Sequence, residues 1–224
     1  MAFPLRSKPS NGTLHGNTEN TKQVERVSSS LPENFGEVIP GMIYRSSFPL
    51  TENLGALEKL NLKSIITFVE EPYSNSHIEF LERNKISHLR IVLDANKVGR
   101  ASIDDEAVKR ILMTILSKER HPILIHCNKG KHRTGCVVAC FRKAIGWPLD
   151  RIIREYRDYA GSKARALDEV FISKFNAQSL RSTVAATGAA AWIHRPVPSG
   201  DPVDVLARRV ARASMDENNI HRLM

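Results

Sequence analysis

Cysteine is scarce in this chain of 224 residues: Cys127, Cys136 and Cys140 are the only three, and they fall close together. The N-terminus, MAFPLRSKPSNG, lacks the apolar core of a secretory signal. No run approaches the roughly 18 apolar residues of a membrane span. These absences lead to the expectation of a cytoplasmic protein with reduced thiols and no stable membrane insertion. No internal repeat is visible, and no Gly-x4-Gly-Lys-Ser/Thr occurs, which excludes a Walker nucleotide loop. Aromatic residues make up 6% of the chain. Apolar residues are ordinary at 42%, enough for a real core.

Charge of one sign is abundant instead. Lys and Arg number 33 against 24 Asp and Glu, a net of +9. Such a balance points to an anionic partner and does not by itself choose among phosphorylated molecules, nucleic acid and acidic membrane.

The chain divides by texture. Residues 1–33, rich in Ser, Asn, Thr, Lys and Pro, read as a disordered arm. Residues 34–180 carry regular periodicity. A short strand is expected at Met42–Arg45, and a helix follows with Thr51 as N-cap and Leu54, Leu57 and Leu60 at helical spacing. Strands are expected at 63–69, 87–93 and 121–126, with a helix at Ser76–Lys85 and a loop at 94–103. Asp104–Lys118 forms an amphipathic helix with Val108, Ile111, Leu112 and Ile115 on one face. Helices follow near 134–146, 149–160 and 166–178. Strands alternating with helices imply an α/β fold with a central, mostly parallel sheet flanked by helices. Residues 181–224, rich in Ala, Pro and Gly at first, read as a mostly disordered tail, with a short basic amphipathic stretch at 203–213.

One segment stands apart from this background: LIHCNKGKHRTG, residues 124–135. A buried strand ends at His126, Cys127 follows, and Arg133 comes just before a good helix. The loop therefore sits between the C-terminal end of a strand and a helix N-terminus, where α/β sheets bind ligands. Asn128 to Arg133 can turn their backbone N–H groups inward as an anion nest, with Gly130 supplying the freedom to turn and the helix dipole adding positive potential. A thiol in such surroundings ionises readily, and the loop is the size of a tetrahedral phosphate. Arg133 can grip two phosphate oxygens at once, which Lys cannot. Cys-x5-Arg alone is a weak signal. The apolar strand, His126, Gly130 and Thr134-Gly135 make it strong. A zinc site fits poorly: Cys136 and Cys140 share a helical face, but His126 and His132 are badly placed to complete a tetrahedron. Those two cysteines read as core. No metal or cofactor is called for.

His126-Cys127-x5-Arg133-Thr134-Gly135 resembles the signature of the cysteine-dependent protein tyrosine phosphatase superfamily. With IYRSSFP (43–49), PILIHC (122–127), FRK (141–143) and EYRDYAGSKARALD (155–168), the chain is similar to the plant and fungal atypical dual-specificity phosphatases over about residues 34–178. The resemblance implies a dual-specificity-like phosphatase fold and removal of the β-phosphate of inositol pyrophosphates through a phosphocysteine. The alternative is a protein tyrosine or dual-specificity phosphatase acting on phosphoproteins. No nucleic-acid partner is implied. One departure stands in the loop before the third long helix: the family's Gly-Asn-Lys reads Ala95-Asn96-Lys97 here, followed by VGRA in place of Glu-Pro-Phe.

Roles follow from the chemistry and the resemblance together. Cys127 is the nucleophile, and Arg133 orients phosphate and stabilises the transition state. Substrate binding is expected from Asn96, Lys97, Asn128, Lys129, Gly130, Lys131, His132, Lys163 and Arg165. Thr134 either hydrogen-bonds the sulfur or only enters the helix. His126 tunes the loop, and Arg45 braces it. Arg142 and Lys143 either join Lys97 in a cationic bowl or only cover a helix surface. Asp94, Asp104 and Asp105 are the candidates for a general acid, against a plainer role for Asp104 and Asp105 as helix N-terminal charges. A phosphotyrosine slot needs aromatic walls, and the signature loop has none. A phosphate-binding module without catalysis would tolerate Ser at 127.

Overall fold

The protein is described from a computed structural model over residues 30–98 and 103–193. Its sheet has five strands in the order β1-β2-β5-β3-β4. The central strand is β5 (Ile123–His126), paired in parallel with β2 (Ile43–Ser46) on one side and β3 (Ser64–Thr67) on the other. Strand β4 (Ser87–Arg90) extends the parallel set beside β3, and β1 (Gly36–Ile39) closes the opposite edge antiparallel to β2. Parallel strands covered on both faces are apolar throughout, and alternation then decides which face each side chain fills. Leu124, Tyr44 and Ile65 point into one cluster, and Ile123, Ile125, Ile43 and Ile66 into the other.

The smaller cluster is roofed by α1 (Leu54–Glu58) and α2 (Asn75–Arg83), through Leu54, Leu57, Phe80 and Leu81. The larger one gathers α3 (Asp105–Leu116), α4 (His132–Ala144), α5 (Leu149–Ala160), α6 (Ala166–Lys174), α7 (Gln178–Ala186) and α8 (Ala190–Ile193). The apolar face expected for α3 is the one it buries: Val108, Ile111, Leu112 and Ile115 are closed to solvent. Helix α4 runs through the middle of this layer, so Cys136, Val137, Val138, Cys140 and Phe141 are all buried. Burial pushes both the Cys136 and Cys140 thiols well up, which makes them packing residues; all three cysteines are free.

Several expectations are corrected. Order begins by residue 30, inside the segment taken as a disordered arm: Pro32 is buried and the Ser30 carbonyl accepts from Asn53 Nδ2 at 2.9 Å. Residues 1–29 lie outside the described residues. Strand β1 was not expected. Thr51 is not the N-cap of its helix: the chain enters through a 3-10 turn, where Asn53 Oδ1 accepts from Leu50 N at 2.7 Å. The strands are shorter than their apolar runs, although Phe68 N still donates to the His126 carbonyl at 2.9 Å beyond the end of β3.

The largest difference lies past residue 180. Helices α7 and α8 occupy 178–193, where a mostly disordered tail was expected from 181. Ala-rich composition suits a helix as well as a coil, and here Leu180, Ala189 and Trp192 are buried in the larger cluster. Trp192 meets the His121 ring edge-on at 4.8 Å. The basic stretch at 203–213 lies outside the described residues. Because Trp192 is 6% exposed, Trp192→Ala should lower stability by about 3 kcal/mol. Urea unfolding at constant m-value checks this; a change under a few tenths of a kcal/mol would return the segment to the status of a loose tail.

Candidate active site

Strand β5 delivers Cys127 to the carboxyl end of the sheet as the first residue after His126. The loop that follows has its carbonyls tied from outside. Phe48 N donates to Asn128 O at 3.1 Å, Asn34 Nδ2 to Lys129 O at 3.0 Å and Arg45 Nη2 to Gly130 O at 2.7 Å. In a trans peptide the N–H points away from the carbonyl. The N–H groups of Lys129, Gly130 and Lys131 are therefore turned to the inside of the loop, where they find no acceptor among the described residues. Gly130 has φ of 65°, and a Cβ there would lie 2.6 Å from the Ser46 carbonyl carbon and oxygen. Only glycine combines that backbone with that approach.

Helix α4 starts at His132, two residues earlier than expected, so Arg133 lies in its first turn and the dipole points at the loop. Arg133 Nη1 donates to the Phe68 carbonyl at 2.9 Å, beyond β3. One donor thus fixes the guanidinium, and the rest of the fork is left for an anion. Arg45 lies beneath the loop, 1% exposed, with its guanidinium 3.6 Å from the centre of the Tyr159 ring. Burial lowers its pKa from the ordinary value, offset in part by Tyr159, Glu155 and Cys127. No carboxylate pairs with it among the described residues. The expected bracing role is the geometry observed.

His126 is fully buried against Tyr73, whose hydroxyl bonds its Nε2. Burial lowers its pKa to about 3, which keeps the ring neutral near pH 7. Thr134 Oγ1 is buried without a hydrogen-bond partner, so the bond to the sulfur is not made. Asp104 caps α3, accepting from Glu106 N at 3.2 Å and Ala107 N at 3.1 Å, and Asp105 follows in the first turn. That is the plainer of the two roles weighed for them. Asp94 is exposed.

Asn96 departs from its expected place on the substrate. It is 3% exposed, its Nδ2 donates to Asp168 Oδ1 at 2.8 Å, and its Oδ1 accepts from Ile103 N at 2.9 Å. With both ends used, it ties loop 94–98 to α6. Asp168 is the residue that sequence reasoning missed. Fully buried, it also accepts from His132 Nδ1 at 2.9 Å and Tyr156 Oη at 2.6 Å, both on Oδ2. Burial raises its pKa, but hydrogen bonds from His132, Tyr156 and Asn96 outweigh that and hold it below the usual carboxylate value. The only sequence signal was its position at the end of SKARALD.

Of the other expected contacts, Lys97, Asn128, Lys129 and Lys163 are exposed and Lys131 is half-buried. Lys129 lies 4.0 Å from Glu33, a loose surface pair. Arg165 is half-buried; its backbone N donates to Tyr156 Oη at 3.1 Å and its Nη1 is buried without a hydrogen-bond partner. Arg142 and Lys143 do not join a bowl. Arg142 forms a two-pronged pair with Glu155 at 3.0 and 2.9 Å, and Lys143 caps α6 through the carbonyls of Ile172 and Ser173. Of the VGRA departure at 98–101, residues 99–101 lie outside the described residues.

A cysteine at the carboxyl end of a parallel strand, followed by a loop whose carbonyls are tied outward and by an arginine in the first turn of the next helix, defines a cysteine-dependent phosphatase fold. Comparison with known proteins agrees, and the chain belongs to the tyrosine phosphatase family, whose profile matches residues 30–193. It is 42% identical over 151 residues to the inositol diphosphatase SIW14 of Saccharomyces cerevisiae, covering 67% of this chain and 53% of that one, so the match spans about half of the yeast protein. It is 41% identical over 155 residues to the inositol diphosphatase DSP2 of Oryza sativa subsp. japonica, covering 69% and 76%. The core catalytic domain of the S. cerevisiae PP-IP phosphatase SIW14, solved with citrate, superposes with a TM-score of 0.67 at 37% identity, covering 76% of this chain and all of that one.

Two outcomes follow from the geometry. Arg133→Lys should lose nearly as much activity as Arg133→Ala, on the order of 10²–10³-fold, because Lys keeps the charge and loses the fork. Steady-state rates on a small aryl phosphate decide it; near-full activity in the Lys variant would show that charge alone suffices. Asp94→Asn, Asp104→Asn and Asp105→Asn should each stay within about tenfold of wild type, where a true general acid contributes roughly 10²–10⁴-fold. A larger loss in one variant, with its circular dichroism unchanged, would mark that residue as the acid.

Proposed function

We propose that the protein removes the β-phosphate of inositol pyrophosphates. The observation that supports this reading is that one buried carboxylate ties together three cation-bearing segments, one of them the cysteine loop. Asp168 bonds Asn96 from loop 94–98 and His132 from the cysteine loop, and it closes the 161–168 segment itself. Each segment brings cations with it: Lys97, then Lys129 and Lys131, then Lys163 and Arg165. Cations in that number suit a ligand with many phosphates and exceed what one phosphotyrosine requires. The names of the yeast and rice relatives point the same way.

In this reading the Cys127 thiolate attacks phosphorus in line, and the P–O bond to the departing phosphate breaks. The backbone nest, the α4 dipole and Arg133 hold the oxygens as charge redistributes. Water then hydrolyses the phosphocysteine and restores the thiolate. Asn128 and Gly130 contribute through their backbone, and the lysines meet the other phosphates of the ring. We retain the cytoplasm as the place of reaction, on the sparse free cysteines; no described helix is long and apolar enough to cross a membrane.

The test compares an inositol pyrophosphate with a phosphotyrosine peptide, without added metal. Wild type should favour the pyrophosphate in kcat/KM, and Cys127→Ser should abolish turnover of both. Lys97→Gln with Lys163→Gln should raise KM for the pyrophosphate by tenfold or more and leave a small aryl phosphate within about twofold. Salt should weaken the pyrophosphate reaction more, since exposed charges are screened beyond about 10 Å at 0.1 M. A preference for the peptide, with equal losses on all substrates, would transfer the assignment to phosphoproteins.

A further inference from the structure

Among the described residues Asp104 and Asp105 are spent on the α3 N-terminus, while the site contains a histidine whose orientation is fixed. His132 is the first residue of α4, immediately before Arg133, and is half-buried. Its Nδ1 lies 2.9 Å from Asp168 Oδ2 and 3.4 Å from Tyr156 Oη. Asp168 is closed to solvent and held ionised, so it can only accept; Nδ1 must therefore carry a proton. Nε2 has no protein partner among the described residues. The ring is thus locked in orientation and tautomer, with its second nitrogen left unsatisfied beside the phosphate-binding loop.

We propose that His132 is the proton donor to the oxygen leaving phosphorus, with Asp168 as its positioning residue. The inference rests on the phosphatase reading and supplies the acid that reading lacks. In the first step a Cys127 Sγ lone pair forms the S–P bond. The P–O bond breaks, and its electron pair stays on the departing oxygen. That oxygen takes the proton from Nε2–H of the imidazolium, leaving neutral imidazole with Nδ1–H still on Asp168. In the second step Nε2 takes a proton from the attacking water. The new O–P bond forms as S–P breaks, giving inorganic phosphate, thiolate and imidazolium. Protons and electrons balance over the cycle.

The groups facing the imidazole are Asp168 from α6 and Tyr156 from α5, with Lys131 and Arg133 adjacent in the chain. Asp168 also restrains Asn96. An Asp168→Asn variant keeps the size and the acceptor oxygen but removes the charge that holds Nδ1–H. His132→Asn removes the imidazole and with it one of the three hydrogen bonds on Asp168, so its folding is checked by circular dichroism.

The experiment measures kcat/KM of the full chain on phosphate esters of graded leaving-group basicity, from nitrophenyl through phenyl to an alkyl phosphate, across pH. His132→Asn should lose less than tenfold on the nitrophenyl ester and roughly 10² or more on the alkyl ester, the range for a lost general acid. Asp168→Asn should steepen the leaving-group dependence in the same sense, and added imidazole should rescue His132→Ala on the poor leaving groups. Inhibition by inorganic phosphate should stay within about threefold in His132→Asn, since the nest and Arg133 are intact. Equal losses of His132→Asn on every ester, with weaker phosphate inhibition, would make His132 a phosphate ligand and overturn the proposal alone. Absence of any Cys127-dependent turnover in wild type would overturn the phosphatase reading with it.

Discussion

Everything at this site depends on three carbonyls being held away from it. The oxygens of Asn128, Lys129 and Gly130 are taken by Phe48 N, Asn34 Nδ2 and Arg45 Nη2. Left to itself, a six-residue loop would satisfy those carbonyls with water, and its N–H groups would point in several directions. Here the donors come from an N-terminal segment and from β2 and its end, so the nest is imposed by the fold before any ligand arrives. Asn34 stands at φ of 59°, and its second amide proton holds the Tyr159 carbonyl at 3.1 Å. Both donors of one side chain are thus spent on keeping the loop open. Donors fixed in advance need no reorganisation when charge develops on phosphate oxygens, which is where electrostatic catalysis gains most.

Asp168 performs a second act of fixation. A buried carboxylate is costly unless several hydrogen bonds replace its water. It has three, from Asn96, His132 and Tyr156. Each comes from a different part of the chain, so satisfying one carboxylate joins loop 94–98, the cysteine loop, α5 and α6. This explains why Asn96, a reasonable substrate contact from its place beside Lys97, is instead a buried strut.

The split between what was legible and what was not follows the range of the interactions. Strands β3 and β5, helix α3 and the Cys127-to-Arg133 loop were readable because their signals are local: an apolar run, a 3.6-residue period, a glycine between a cysteine and an arginine. Gly130 was chosen for backbone freedom, and its φ of 65° bears that out. Strand β1 was missed because four residues, GEVI, carry no alternation that an irregular approach would lack. Helix α7 was missed because Ala-rich sequence fits coil and helix alike, and only the burial of Leu180 and Trp192 decides between them. Asp168 contacts Asn96 across 72 positions, and no pattern along the chain encodes such a contact.

Charge placement was half legible, and the missing half carries the meaning. Composition shows an excess of cations but not which of them are neutralised. Arg142 with Glu155 and Arg157 with Glu169 are paired two-pronged, Lys109 pairs with Glu106, and Arg110 lies 3.9 Å from Asp104. Among the described residues, Arg45, Lys97, Lys131, Arg133 and Lys163 have no carboxylate within pairing distance. These five sit on the cysteine loop, under it, or on the two segments that Asp168 draws to it. Arg45 makes the sharper case, because a buried guanidinium without a carboxylate is expensive to keep. Replacing it with an apolar residue would remove that cost, free the Gly130 carbonyl and let the nest relax. Arg45 is thus a buried cation kept without a carboxylate beneath the loop that must bind an anion, an arrangement that costs stability and serves the site.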